Sequence, residues 1–305
     1  MSTLSLIHQT PLIFLDKISL GLPGKIYAKA EHLQPGGSVK DRAAYQVILD
    51  AYENGSLKKG QTVVEMTSGN MGAGLALICR QFGHPFIAVM SEGNSPERRK
   101  ILTAFGAEIV LTAQVDGSLG QVTGKDIALA VEVAKDIALN RKAFYVDQFN
   151  NPSGIKAHFG HTGPEIIHDL PDIDVFIASV GTGGTFIGVS KYLKSVNPNI
   201  ICIAVEPQDA AILETGKVEN SRHIIQGTSY GIIPPHWDRN LVDGFIRVTD
   251  LDVIEMAKRL SAEQGLYVGY SAAANVLASQ KYLKAQAKPL NIVTVLCDSG
   301  YKYSD

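Results

Sequence analysis

Between Thr62 and Thr112 the chain alternates short apolar runs with helix-length periodic stretches, and this alternation limits the fold more than any other feature. Thr62 to Glu65 reads as a strand, Met71 to Phe82 as a helix closed by Gly83, and Pro85 to Met90 as a second strand. Ser95-Pro96 places a cap and a first-turn proline ahead of a helix over Glu97 to Phe105, and Ala107 to Thr112 reads as a third strand. A strand that returns through a helix must run parallel to the strand before it. The expected fold is therefore α/β, with mostly parallel, twisted sheets flanked by helices.

The pattern continues downstream. Helices are expected over Asp126 to Leu139, 153–169, Thr185 to Leu193, Leu251 to Glu263 and Ser271 to Leu283. Strands are expected at Ala143 to Val146, Val175 to Val180, Ile200 to Glu206 and Ile292 to Leu296. Ala43, Ala44, Val47, Ile48, Ala51 and Tyr52 recur at helical spacing ahead of Gly55. The stretch 207–247 has no sustained period and is left as irregular. No repeat, low-complexity tract or change of composition marks a linker, so two lobes would be interleaved rather than strung in series.

Composition excludes several function classes. A net charge of −2 offers no electrostatic attraction to nucleic acid or an anionic membrane. No apolar run approaches the roughly 18 residues of a membrane span. The N-terminus lacks a basic leader and carries Pro11, so no secretory signal is expected and a cytoplasmic location is. Cys79, Cys202 and Cys297 form no C-x-x-C and are expected as free thiols. His158 and His161 stand three apart without a further ligand set, so no metal is expected.

Three stretches carry chemistry. In Pro35-Gly36-Gly37-Ser38-Val39-Lys40-Asp41-Arg42, a breaker is followed by a serine at a helix N-cap position and a lysine in the first helical turn. The helix dipole disfavours an ammonium there and favours the neutral, nucleophilic amine. On these residues alone, a solvated surface lysine is an equal reading. The second stretch runs from Val63 through Thr67-Ser68-Gly69-Asn70-Met71 to Leu75, and the third from Phe176 through Gly181-Thr182-Gly183-Gly184-Thr185 to Gly188. Each is strand, hydroxyl- and glycine-rich turn, then helix, which aims backbone N–H groups at an anion. A nucleophilic amine with two anion cradles suits a cofactor phosphate and a substrate carboxylate.

Together these stretches resemble the cysteine synthase and cystathionine β-synthase family of pyridoxal-phosphate enzymes, and the resemblance runs over nearly the whole chain. It implies the tryptophan synthase β-like fold, with 1–40 and 147–305 as a large cofactor-binding lobe and 41–146 as a smaller mobile lobe. It implies that Lys40 forms the Schiff base with pyridoxal 5'-phosphate and that Gly181, Thr182, Gly183, Gly184 and Thr185 hold the phosphate. Asn70 would touch the phenolic oxygen, and Ser271 of Gly269-Tyr270-Ser271 the pyridine nitrogen. Thr67, Ser68, Gly69, Asn70, Met71 and Gln148 would bind the substrate carboxylate. Gly227 and Tyr230, in Gln226-Gly227-Thr228-Ser229-Tyr230-Gly231, would lie on the substrate side. A neutral hydroxyl at the pyridine nitrogen favours loss of a β-substituent over transamination.

The implied activity is β-replacement on a serine-type amino acid through an aminoacrylate, giving cysteine from O-acetylserine and sulfide. Cystathionine or lanthionine synthesis, or cysteine desulfhydration, is the alternative, because Tyr230 stands where cysteine synthases commonly have a small residue. Met71 replaces a more usual Thr, Ala273 a Gly and Ser229 a Gly. The resemblance also implies a homodimer. Some members bind serine acetyltransferase, so a non-catalytic partner protein is the reading from another class. Dehydratases of the same fold typically carry S-F-K-x-R-G at the lysine, unlike this chain.

Overall fold

The computed structural model describes residues 2–119 and 122–303. The chain divides into two units: residues to Ile7 join Lys40–Gly154 in one, and His8–Val39 join the chain from Ile155 onward in the other. Residues 2–7, Lys40 and 147–154, expected with the larger lobe, cluster with the smaller unit. Ile7 is buried among apolar side chains of that unit.

In chain order the strands are β1 (Leu12–Phe14), β2 (Gly24–Lys29), β3 (Val63–Met66), β4 (Phe86–Ser91) and β5 (Glu108–Thr112). They continue as β6 (Phe144–Tyr145), β7 (Val175–Ser179), β8 (Ile201–Pro207), β9 (Gly244–Val248) and β10 (Leu290–Val295). The smaller unit holds a four-stranded sheet of order β5-β4-β3-β6, parallel throughout. The larger holds six strands in the order β1-β2-β10-β7-β8-β9, in which only β1 against β2 runs antiparallel.

Alternate residues of each strand serve opposite faces, so each sheet builds two cores. In the larger unit Ile26, Val175, Ile177, Ile203 and Val205 pack with helix Tyr270–Lys284, while Phe176, Ala178, Cys202 and Ala204 pack with helix Gly184–Val196. In the smaller unit Val63, Phe86 and Ala88 face helices Lys40–Glu53 and Asn70–Phe82. Val64, Ile87 and Val89 face helix Gly124–Asn140 through Ala130 and Ala134. Every residue of β4 is buried, which explains its unbroken apolar run.

The run Ile26-Tyr27-Ala28 reads as strand-like and forms part of β2, but two other strands have no clear signature in the sequence. β1 has three residues, and β9 is an edge strand inside the stretch left as irregular. Its Gly244 and Arg247 hide the alternation, and Arg247 turns to Glu214 at 2.6 Å. The expected helix over 153–169 is Ser153–Ala157 and Gly163–Asp169 joined by a π-turn, His158–Thr162.

Candidate active site

Lys40 is the first residue of helix Lys40–Glu53 and is half-buried. Ser38 does not cap that helix; it is extended and bridges Asp298. The N–H of Val39 donates to the carbonyl of Cys297 at 2.8 Å, and that of Ser299 to the carbonyl of Gly37 at 3.2 Å. The lead-in to Lys40 is thus a strand-like strap, held by the chain just after β10. Within the smaller unit the start of the helix lies against helix Asn70–Phe82. A Cβ on Gly74 would stand 3.2 Å from Lys40 O, Asp41 Oδ1 and Ala44 Cβ. Gly74 is therefore what lets the two helices approach so closely.

Thr67, Ser68 and Gly69 form the turn between β3 and helix Asn70–Phe82, and Met71 is buried in the first helical turn. Gly69 is the N-cap residue, with no side-chain cap. Neither Ser68 nor Asn70 fills that place. Ser68 Oγ accepts instead from Arg98 Nη1 at 3.1 Å. Gln148 reaches the end of β3 that leads into this turn: its Nε2 donates to Glu65 Oε1 and to Met66 O, both at 3.1 Å. The smaller unit thus gathers Lys40, Thr67, Ser68, Gly69, Asn70, Met71 and Gln148.

The larger unit gathers the rest. Gly181 to Thr185 joins β7 to helix Gly184–Val196, with Gly183 as a left-handed N-cap at φ 93°. That helix, too, has no side-chain cap. A Cβ on Gly181 would fall 2.2 Å from Gly227 O, and the Tyr230 ring lies 3.7 Å from the same point. The Ser229 N–H donates to the carbonyl of Val180 at 3.0 Å. The glycine turn and the 226–231 loop are therefore one packed structure. Thr228 Oγ1 donates to Ile225 O at 2.8 Å, whereas Ser229 Oγ is buried with no hydrogen-bond partner.

Ser271 lies in the first turn of helix Tyr270–Lys284, whose N-cap Gly269 again supplies no side-chain bond. The helix expected from Ser271 thus opens one residue earlier, at Tyr270. Helices Gly124–Asn140 and Asp250–Gln264, by contrast, are capped by Thr123 and Thr249. Three of the helices that open at chemically suggestive turns thus keep their leading N–H groups clear of side-chain caps, which leaves them open to an anion.

Asn275 and Glu65 were given no role by the sequence, and His158, set aside there as no metal ligand, has a structural one. His158, in the π-turn, meets Thr162 Oγ1 at 2.9 Å through Nδ1 and Thr185 Oγ1 at 3.1 Å through Nε2, so it braces the glycine turn. Asn275 accepts from the Ser179 N–H at 2.7 Å and donates to Val295 O at 2.9 Å, tying the end of β7 to β10. Glu65 is buried, and burial pushes its carboxyl up to about 8 against the pull of the Gln148 side chain. A single π-turn, which shifts the helical period only once, or a polar residue inside an apolar helix, leaves a weak trace in sequence. Glu65 was visible as a lone acid in an apolar strand.

A lysine opening a helix, and glycine-bounded turns that leave helix N-termini to a ligand, define an α/β enzyme that holds an anionic cofactor. The chain belongs to the pyridoxal-phosphate dependent enzyme family, whose model matches residues 3–298. It is 40% identical over 300 residues to cysteine synthase B of Campylobacter jejuni subsp. jejuni, covering 98% of this chain and 95% of that one. Among solved structures it is similar to a hydrogen sulfide-producing enzyme from Fusobacterium nucleatum: TM-score 0.91, 36% identity, 99% of this chain and 97% of that one. It is also similar to an O-acetylserine dependent cystathionine β-synthase from Helicobacter pylori: TM-score 0.89, 32% identity, 99% and 96% covered. The chain is thus a pyridoxal-phosphate enzyme of the expected fold type.

The donor set fits that cofactor. The turn at Gly181–Thr185 offers uncapped backbone N–H groups and two threonine hydroxyls, and Gly181 and Gly183 leave no side chain in the cradle. Among the described residues no cluster of His, Cys, Asp or Glu could hold a metal, and no helix is long and apolar enough to cross a membrane.

Proposed function

We propose that the protein makes cysteine by β-replacement, exchanging the acetate of O-acetylserine for sulfide. The observation that carries this reading is Ser271, a neutral hydroxyl in the first turn of an uncapped helix. Asp298, whose Oδ1 would lie 2.2 Å from a Cβ on Gly269, accepts the Tyr303 hydroxyl through Oδ2. Pyridoxal phosphate supplies an electron sink for a carbanion at the substrate's α-carbon. A hydroxyl opposite the ring nitrogen leaves that sink shallow, which favours departure of a β-substituent.

The remaining roles belong to residues of this chain. Lys40 would hold the cofactor covalently, and its Nζ, when free, would take the α-proton. Gly181, Thr182, Gly183, Gly184 and Thr185 hold the phosphate through backbone N–H groups and hydroxyls. Asn70 donates to the phenolic oxygen. Thr67, Ser68, Gly69, Met71 and Gln148 take the substrate carboxylate, with Gly227 and Tyr230 facing the β-substituent. The loss of a hydroxyl at Met71 leaves its backbone N–H for that work. A cytoplasmic homodimer, able to complex serine acetyltransferase, is part of the same proposal.

A second reading is favoured by one feature, the 226–231 loop. Ser229 Oγ is buried without a partner, and the Tyr230 ring lies beside Gly181. Hydroxyls there can protonate a poor leaving group such as hydroxide or hydrosulfide, which would admit serine or cysteine as first substrate. Incubation with O-acetylserine, serine or cysteine, each with sulfide or a thiol, separates the readings by kcat/KM. Borohydride should fix the cofactor to the peptide containing Lys40, and label on another lysine would refute the assignment. Lys40→Ala should abolish turnover while keeping the fold.

A further inference from the structure

Glu65 is the last buried acid before the Thr67–Asn70 turn, and nothing in the roles above uses it. It sits in the middle of the four-stranded sheet, 1% exposed, with Ala88 opposite it on β4. Its Oε1 accepts from Gln148 Nε2, and its Oε2 is buried with no hydrogen-bond partner. The same Nε2 also donates to Met66 O, so both hydrogens of the Gln148 amide are spent inside the protein. A carboxylate can only accept. Gln148 can therefore serve a substrate carboxylate only by releasing one of these two contacts.

We propose that Glu65 is the positioning residue for Gln148, and that the protonation state of Glu65 sets how readily the Gln148 amide is released to the substrate carboxylate. The proposal rests on the reading of the turn as a carboxylate site. With Glu65 neutral, its contact with Gln148 is an ordinary hydrogen bond between uncharged groups, and the proton resides on Oε2 because Oε1 accepts the amide. With Glu65 ionised, the contact becomes charge-assisted and roughly twice as strong. The new charge also opposes an incoming carboxylate.

The surroundings favour the neutral form at neutral pH. Burial raises the carboxyl to about 8, the Gln148 side chain and the nearby backbone N–H groups of Gln148 and Asp147 lower it, and the Asp147 charge raises it again. The other titratable group against it is the Tyr145 phenol, itself raised by burial and by the charges of Glu65 and Asp147. The flanking helices bring apolar side chains to the faces of β3, among them Leu75, Ala76, Ala130 and Ala134. Asp147 adopts φ 53°, so Gln148 follows a residue in the left-handed region, and the Glu65 contact pins that turn.

The test is the pH dependence of KM for the amino-acid substrate in wild type, Glu65→Gln and Gln148→Ala. In wild type KM should rise about tenfold as pH passes through 8, with kcat changing less, that being the difference between a neutral and a charge-assisted hydrogen bond. Glu65→Gln keeps an acceptor for Gln148 but cannot ionise, so its KM should lack that rise. Gln148→Ala should have a raised KM at pH 7 and a smaller rise at alkaline pH than wild type, the part due to the Glu65 charge alone. Infrared difference spectra of the same proteins should show a protonated carboxylic acid at pH 7 that is lost above 8 and absent from Glu65→Gln. That band requires no turnover, so it reads Glu65 even if no serine-type donor proves to be a substrate. A wild-type KM inflexion retained in Glu65→Gln, or no protonated acid at pH 7, would overturn the proposal.

Discussion

Gly181→Ala tests whether the glycine turn and the 226–231 loop form one cofactor cradle. The added Cβ would lie 2.2 Å from the backbone oxygen of Gly227. An ordinary close C···O contact is about 3.3 Å, so one of the two backbones must move by roughly 1 Å. The obstacle cannot rotate away, because it is a carbonyl in a loop whose next residues are tied to Val180 by the Ser229 N–H. Overpacking of this kind costs about 1–3 kcal/mol. If the displaced backbone is the one that meets the phosphate, that energy is lost from cofactor binding, and the Kd for pyridoxal phosphate should rise about 5- to 150-fold. Titration of the apoprotein followed by cofactor absorbance reads the Kd, and melting with and without cofactor reads the stability. Gly183→Ala is the control. Its Cβ would meet only Ile187 and Pro234, at 3.7 and 3.8 Å, but the backbone is held at φ 93°. It should cost about 1–2 kcal/mol through the backbone without moving the 226–231 loop. A Gly181→Ala protein with wild-type Kd and wild-type melting would refute the reasoning.

Three other outcomes follow from buried groups. Lys29, whose side chain is 1% exposed, pairs with Glu165 at 3.0 Å and Asp169 at 3.3 Å; Lys29→Met should destabilise by about 3 kcal/mol, since both carboxylates keep some solvent, and chemical denaturation measures it. Thiol reagents on the folded protein should label Cys297 first, because Cys79 and Cys202 are buried and burial pushes the Cys202 thiol up to about 11. Glu65 binds its proton more tightly folded than unfolded, so its contribution to stability is complete below about 4.5 and is lost as pH rises through about 8, up to a ceiling on the order of 5 kcal/mol. Melting curves of wild type against Glu65→Gln across that window should diverge in this direction, and parallel curves would contradict it.

Much of the fold was legible because its strands are covered on both faces. Phe86 to Ser91 and Val175 to Ser179 have to be apolar without interruption, and their helices have to alternate with them. β9 was not legible, since an edge strand with intermediate burial has no such demand on its composition. Ser38 was misread as a helix cap because its partner, Asp298, is 260 positions away, and local sequence carries no trace of a bridge closed that far off.

The amino-acid sequence by itself determined the class of chemistry. Lys40 at a helix start and the two glycine turns each depend on neighbours within a few residues, where local backbone preference and the helix dipole decide the outcome. Only the tertiary structure decided what those elements lean on. His158 reaches Thr185, Glu65 reaches Gln148 across 83 positions, and Gly227 closes over Gly181. These contacts are set by sheet order and helix packing, which bring together residues whose spacing in the chain has no period. The desolvation that raises the Glu65 carboxyl arises in the same way: it is a property of the sheet and helices that bury the carboxyl, and no residue type carries it alone.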